Sequence, residues 1–484
     1  MKGVRGRFFP MGRRMPRIPK GAVAELLSSG RFDAEWYDRT YADVVESGMT
    51  PAEHFLRVGA RLGRSPAPPQ SPETIAASLH GSAGGTADAL GDVDDDIDAL
   101  FIDGTNGTSS TPYRIHRIAD GVAQHGWAVR WASGGDLPSL LKLAIKPRLA
   151  VFHRAPYWGC FAELAQALRA RGTTIVFDVD DLVFDEAILP FIDGFRQLTK
   201  PEQEAFLLTL RGYREFLFFA DYCTVPTNYL AQRIGELGKQ VYRVRNAVSA
   251  GNIRFFQQAG YRRTLRPSPF VIGYYSGTRT HRADFAVVAP ALAQFMSETP
   301  DVVLRLVGEL DLDDYPGLRR FEEIRRRGDL PRVTRVGLMQ HDAMLRDQLS
   351  CDLIIAPLEA GNPFCEGKSE LKFFEASLAS CPVIASPTQT FVEATEEGKL
   401  ADLPATSDEW LNALRSLYSN YDAALGRARA AFDHVRERYS ETFAAREALR
   451  AYEDHLAGHE GVLGYADVAG HSLDSTGRMC RSDG

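Results

Sequence analysis

The sequence predicts an α/β protein: two doubly wound, parallel-sheet domains facing a cleft, with a small helical module ahead of them. Two observations carry this prediction. Short apolar runs alternate with amphipathic stretches from Ile97 onward, and the alternation starts afresh at Pro269. Strands buried on both faces of a parallel sheet read as such uninterrupted apolar runs, and their alternation with helices is the pattern of a doubly wound sheet. Ahead of both series lies a glycine-punctuated helical stretch, then a segment rich in Pro, Gly, Ser and Ala.

Taken in order, residues 1–20 hold seven Lys and Arg and no acid, without the apolar core of a secretory signal. Such a basic tail is either solvated or a loose contact with an anionic membrane surface, where each cation contributes about 1 kcal/mol at most. Residues 21–65 form the helical module through AVAELLSSG, FDAEWYDRTYADVVESG and TPAEHFLRVGARLG, each closed by Gly as a helix stop. Residues 66–97 read as a flexible linker that includes the acidic run DVDDD. The first Rossmann-like domain, 98–265, has strands in DALFIDG, WAVRWAS, RLAVFHR and TIVFDVDD, and helices in YRIHRIADGVAQHG and FAELAQALRARG. The second, 266–435, has PFVIGYYSG, VVLRLVGEL, VTRVGL, CDLIIAPL and CPVIASP. A helical, charged stretch from Asp408 to His459 ends in a C-terminal helix over 436–459, and 460–484 is a disordered tail. Ligands of such domains belong at the carboxyl ends of the strands.

Composition excludes several classes. The net charge of -7 supplies no basic field for nucleic acid. Six cysteines without a CxxC pair fit reduced, buried thiols better than disulfides or a zinc site, which points to the cytoplasm. No segment has the apolar length of a membrane span.

The segment CDLIIAPLEAGNPFCEGKSELKFFEASLASCPVIASP reads strand, loop, helix, strand. A helix from Lys368 to Ala379 places Lys368, Lys372 and Glu375 within an arc of about 60°, from the 3.6-residue period, with Leu371, Phe374 and Leu378 toward the core. Two cations near a helix N-terminus suit a diphosphate, since the terminal N–H groups already favour anions. A carboxylate one turn later can accept both hydroxyls of a ribose.

EASLASCPVIAS resembles the EA-x-A-x-G-x-PVIAS signature of retaining glycosyltransferases of the GT-B fold, in particular glycosyltransferase family 4. The resemblance implies two Rossmann-like domains and a nucleotide diphosphate sugar as donor, with no further cofactor and no metal. It makes Glu375 the ribose-holding glutamate. The family's other glutamate, eight positions earlier, is replaced by Gly367, with Glu366 beside it; KSELKFFE is similar to a bacterial surface-polysaccharide subgroup in which a lysine of this helix contacts the diphosphate, here Lys372.

VIGYYSGTRTH resembles the family's entry to the phosphate site, with Gly273, Gly277 and Thr278 allowing close backbone approach and Arg279 or His281 reaching a phosphate. VGLMQHDAM matches where the family holds the base, through the backbone from Gly337 to Met339. In TIVFDVDD, Asp180 falls where many relatives carry a histidine near the reacting sugar, so Asp180 and Asp181 are the catalytic candidates; capping and loop hydrogen bonds are the alternative. A DxD pattern holds Mg²⁺ or Mn²⁺ in other transferases, but the resemblance implies a metal-independent enzyme. Arg114, His153 and Arg154 are candidates for the acceptor side. The helical module is similar to a repeat found beside bacterial surface-polysaccharide glycosyltransferases, with Phe32, Trp36, Tyr37, Tyr41 and Phe55 as its own core. The expected partners are thus a nucleotide-sugar donor and a glycan or lipid-linked acceptor. A nucleotide-sugar epimerase of the same fold and a catalytically degenerate scaffold remain as alternatives.

Overall fold

The computed structural model describes residues 21–28, 32–40, 44, 49–59, 97–105, 107, 110–192, 194–259, 268–277, 282–322 and 332–458. The basic tail, residues 66–96 of the expected linker and the C-terminal tail lie outside them. The chain divides into two compact units, 1–75 and 76–484.

In the first unit, α1 (Ala22–Ser28), α2 (Ala34–Thr40) and α3 (Pro51–His54, continued by a π-helical turn over Phe55–Gly59) surround a small core of Phe32, Tyr37, Val44 and Ala52. Trp36 and Phe55 pack half-buried against it, and Tyr41 lies outside the described residues. Thr50 and Glu53 close a capping box that starts α3, each side chain bonding the other's backbone N–H. A polar pair in this core is Tyr37 Oη with His54 Nδ1 at 3.2 Å.

The second unit holds two all-parallel sheets. The first has strands β1 (Ala99–Asp103), β2 (Val129–Ser133), β3 (Leu149–His153), β4 (Thr174–Asp178), β5 (Tyr222–Val225) and β6 (Val241–Arg243), in the order β2-β1-β3-β4-β5-β6. The second has β7 (Phe270–Gly277), β8 (Val302–Gly308), β9 (Val333–Val336), β10 (Leu353–Ala356) and β11 (Val383–Ala385), in the order β11-β10-β7-β8-β9. Every residue of β1, β3, β5, β10 and β11 is buried, as the unbroken apolar runs required.

Helices α4 (Arg117–Gln124), α5 (Gly159–Ala170), α6 (Lys200–Phe219), α7 (Asn228–Gly235) and α8 (Ala250–Ala259) belong to the first half. Helices α9 (Arg282–Ala286), α10 (Ala289–Glu298), α11 (His341–Asp347), α12 (Pro363–Glu366), α13 (Leu371–Leu378), α14 (Gln389–Ala394), α15 (Ser407–Ser419) and α16 (Tyr421–Arg438) belong to the second. The last helix, α17 (Glu441–Leu456), returns to the first half and buries Ala444, Ala445, Ala451 and Tyr452 against Phe101 and Ile115. Among the described residues no helix is long and apolar enough to cross a membrane.

In both sheets the strand order reverses beside the first strand, between β1 and β3 and between β7 and β10. A crevice opens at such a reversal, outside the carboxyl ends of the strands. The segments that follow β1, β3, β4 and β10 therefore form the candidate site.

Candidate active site

Helix α13 follows β10 at the reversal of the second sheet. It begins at Leu371, three residues later than the sequence predicts, because Lys368, Ser369 and Glu370 form a turn and Glu370 occupies the N-cap position. Lys368 is therefore not on the face it was expected to share with Lys372 and Glu375; its ammonium lies 4.6 Å from the centre of the Phe364 ring. Phe373, Phe374, Ala376 and Leu378 supply the buried face of α13, while Leu371 is half-buried.

Glu375 is buried. Its Oε1 accepts a 2.5 Å hydrogen bond from Tyr113 Oη, and its Oε2 a longer one, 3.4 Å, from Gln348 Nε2. Burial pushes its pKa above the ordinary carboxylate range, and the Tyr113 bond, the Lys372 charge and Gln348 reduce the rise without cancelling it. Lys372 is half-buried, and burial lowers its pKa, helped by the like charge of Lys368. Among the described residues, neither Lys368 nor Lys372 has a carboxylate within ion-pair distance of its ammonium. Two half-buried ammonium groups without an ion-pair partner, beside a buried carboxylate, can take an anionic ligand as a direct partner.

Beneath Lys372, Asp284, Glu359 and Cys365 bring their donor atoms within 4.8 Å of one another, close enough for a metal ion. The donor set fits a metal poorly. Cys365 Sγ donates to Asp284 Oδ1 at 3.2 Å, so the thiol proton already fills the contact between two of the three donors, and a metal-ligating cysteine must give that proton up. The charge of Asp284 is felt instead by Lys372.

Gly367, where the family's glutamate would stand, is pressed against the first half: a Cβ there would lie 3.3 Å from both Leu182 Cβ and Leu230 Cδ2. Neighbouring Glu366 is fully engaged, accepting from the backbone N–H groups of Gly361 and Gln389 at 2.8 Å each. It ties the loop after β10 to the start of α14.

The other expected donor-site positions divide. Gly337 stands exposed at the end of β9 with open space where a Cβ would be, so the Gly337–Met339 backbone is accessible. Gly277 ends β7, paired with Gly308. Thr278, Arg279 and His281 lie outside the described residues. Gly273 is not a phosphate-loop residue: it sits within β7, where a Cβ would meet Cys351 Sγ at 2.6 Å and Ile354 Cδ1 at 2.8 Å, so its role is close packing.

On the first half, Arg154 follows β3 with a left-handed backbone, φ 43°. A Cβ on Gly104 would meet the Arg154 carbonyl at 2.5 Å, so the chain passes under Gly104 in that conformation. The Arg154 guanidinium returns to the carboxylates of Asp180 and Asp181, bonding Asp181 Oδ2 at 2.5 Å. Arg114 and His153, expected on the acceptor side, are instead buried beneath it. Arg114 forms a two-pronged ion pair with Asp178 and also donates to the Val244 carbonyl. His153 bridges Asp178 Oδ2 at 2.8 Å and Ser110 Oγ at 3.0 Å. The reason is stoichiometric: Asp178, Asp180 and Asp181 are partnered by two arginines and a histidine, which occupy the carboxylates of the DxD pattern.

Sequence reasoning missed Tyr113, His341 and Gln348. Tyr113 belongs to the first half, in a π-helical turn over Pro112–His116, yet its ring packs edge-on against Phe374 and His341 of the second, with its hydroxyl 2.7 Å from His341 Nε2. The only local signal is Pro112 opening a helix. Asn246 Nδ2 adds a second link, to Ser369 Oγ at 2.9 Å.

No family model matches the chain, and no curated protein matches it. Solved structures do. HepE of Anabaena, in complex with UDP and glucose, superposes with a TM-score of 0.50 at 16% identity, over 74% of this chain and 99% of HepE. Sucrose-phosphate synthase of Thermosynechococcus elongatus gives 0.47 at 14% identity, over 74% and 99%. A putative UDP-N-acetylglucosamine 2-epimerase of Listeria monocytogenes gives 0.45 at 12% identity, over 75% and 97%. The chain has the GT-B fold, two parallel-sheet Rossmann-like halves with a C-terminal helix that returns to the first.

Proposed function

We propose that this chain is a glycosyltransferase that moves a sugar from a nucleotide diphosphate sugar to a glycan or lipid-linked glycan in surface polysaccharide biosynthesis, with retention of configuration and without a resident metal. The observation that carries the reading is the pair of unpaired, half-buried lysines beside buried Glu375 at the strand-order reversal of the second sheet. A diphosphate supplies the ion-pair partner that the two ammonium groups lack. Glu375 accepts the ribose hydroxyls, and the exposed Gly337–Met339 backbone meets the base. Thr278 and Arg279, which follow β7 in the sequence, complete the phosphate contacts in this reading.

As the glycosidic bond to the donor phosphate breaks, negative charge grows on the departing diphosphate, and Lys372 and Lys368 stabilise it from fixed positions. In a front-face route the leaving phosphate takes the proton of the acceptor hydroxyl, so no protein base is required. Asp180 and Asp181, held by Arg154, lie at the carboxyl edge of the facing sheet and orient the acceptor or the donor sugar.

The test is calorimetric titration with UDP- and GDP-sugars, joined to a nucleotide-release assay with and without acceptor glycans. Binding with acceptor-dependent release is the expected result. Conversion of the donor without any acceptor would assign an epimerase, binding without turnover a scaffold, and absence of nucleotide binding would overturn the donor-site reading altogether.

A further inference from the structure

Glu375 is covered by a residue of the opposite half. Tyr113 and Glu375 are both nearly inaccessible, at 3% and 5% exposure, so a ribose cannot reach the carboxylate while the phenol is in place. The hydrogen-bond directions are fixed by the partners. Tyr113 Oη donates to Glu375 Oε1, so its oxygen accepts from His341 Nε2–H, giving a chain from His341 through Tyr113 to Glu375. The phenol thus offers Glu375 what a sugar hydroxyl would offer: one O–H donor at short range.

Tyr113 is also rigidly mounted. The next residue, Arg114, is fully buried, and its ion pair with Asp178 and its bond to the Val244 carbonyl tie the turn to the first sheet. Asp178 is held in turn by Thr224 Oγ1 at 2.6 Å and His153 Nδ1 at 2.8 Å. The π-helical turn therefore cannot carry Tyr113 away alone; moving its backbone off Glu375 takes the first half with it.

We propose that Tyr113 is a built-in stand-in for the ribose, a latch that occupies Glu375 while the donor site is empty and is exchanged for the nucleotide's hydroxyls when donor enters, so that donor binding unlocks the two halves. This rests on the donor-site reading above. It assigns to Tyr113 a competing contact, which sets the direction of its mutant effect: loss of the hydroxyl favours donor.

The experiment compares wild type, Tyr113→Phe and Glu375→Gln by titration with UDP, with GDP and ADP in parallel. Tyr113→Phe should bind its nucleotide about 3- to 10-fold more tightly, the worth of one released hydrogen bond. Glu375→Gln should bind more weakly. In wild type, nucleotide should speed amide hydrogen exchange over residues 112–124. Weaker or unchanged binding by Tyr113→Phe, with Glu375→Gln still impaired, would overturn the latch and leave the donor site standing. Binding unaffected by Glu375→Gln, or no binding by any of the three, would overturn the donor-site reading and the latch with it.

Discussion

Lys372 shows how a single residue's discomfort can mark a function. An unpaired ammonium in a half-buried place costs stability, and its lowered pKa records that cost. If the charge is there for a diphosphate, Lys372→Met has two effects of opposite sign. Removing the charge should raise the melting temperature or leave it unchanged, while UDP affinity falls about 10- to 100-fold, from the value of a charge-assisted hydrogen bond. Uridine, lacking phosphates, should bind both proteins alike. Thermal melts and the two titrations check this; equal losses for UDP and uridine would mean that Lys372 shapes the helix rather than meeting phosphate. Gly367 carries the complementary lesson. Its contacts with Leu182 and Leu230 make the missing glutamate part of how the two halves approach, since even a Cβ there would press on both leucines at 3.3 Å.

Among the elements, the strands were legible and the irregular turns were not. A strand buried on both faces leaves a direct trace in composition, so ALFID, LAVFH and LIIA could be read as they stand. The start of α13 differs because KSE is compatible with a helix; only tertiary structure, in which Glu370 is buried at the N-cap position, makes it a turn. The π-helical turn that aims Tyr113 and Arg114 at opposite partners has no periodic signature, and a basic residue in an amphipathic pattern reads as solvated until its buried aspartate is known. Contacts spanning 262 residues, as between Tyr113 and Glu375, leave no local mark. The pairing of α4 with α17 is of the same kind. Gly121 lets the two helices touch: a Cβ there would strike the Glu441 carbonyl and lie 2.9 Å from Ala445 Cβ. Alanine would gain about 1 kcal/mol of helix propensity but incur about 1–3 kcal/mol of overpacking against backbone that cannot rotate away. Gly121→Ala should therefore lower the melting temperature and speed exchange in α17. A higher melting temperature would show that the helices part easily.

At the scale of the whole molecule, the halves are joined at Tyr113–Glu375, at Asn246–Ser369 and through α17, where Arg245 pairs with Glu447. Two buried carboxylates in this assembly respond to acid in opposite ways. Burial opposes ionisation of Asp178, but the Arg114 charge and the bonds from His153 and Arg114 outweigh it and hold its pKa well below the usual range. Its contribution to stability is present above its unfolded pKa of about 3.9 and is lost as pH falls below that. The pKa of Glu375 is raised, so its protonation begins at higher pH and favours the folded state as it proceeds. At pH values above the ordinary carboxylate range the fold should therefore hold while Glu375 gains a proton. A protonated Glu375 is a poorer acceptor for a ribose diol, so affinity for a nucleotide sugar, whose diphosphate stays ionised throughout, should decline across this window at nearly constant melting temperature. Titrations and melts at matched pH values test this, with Glu375→Gln expected to bind weakly and without the pH dependence. If affinity and melting temperature instead fall together, the loss of binding reports acid unfolding, and the carboxylate on α13 is not the group that controls it.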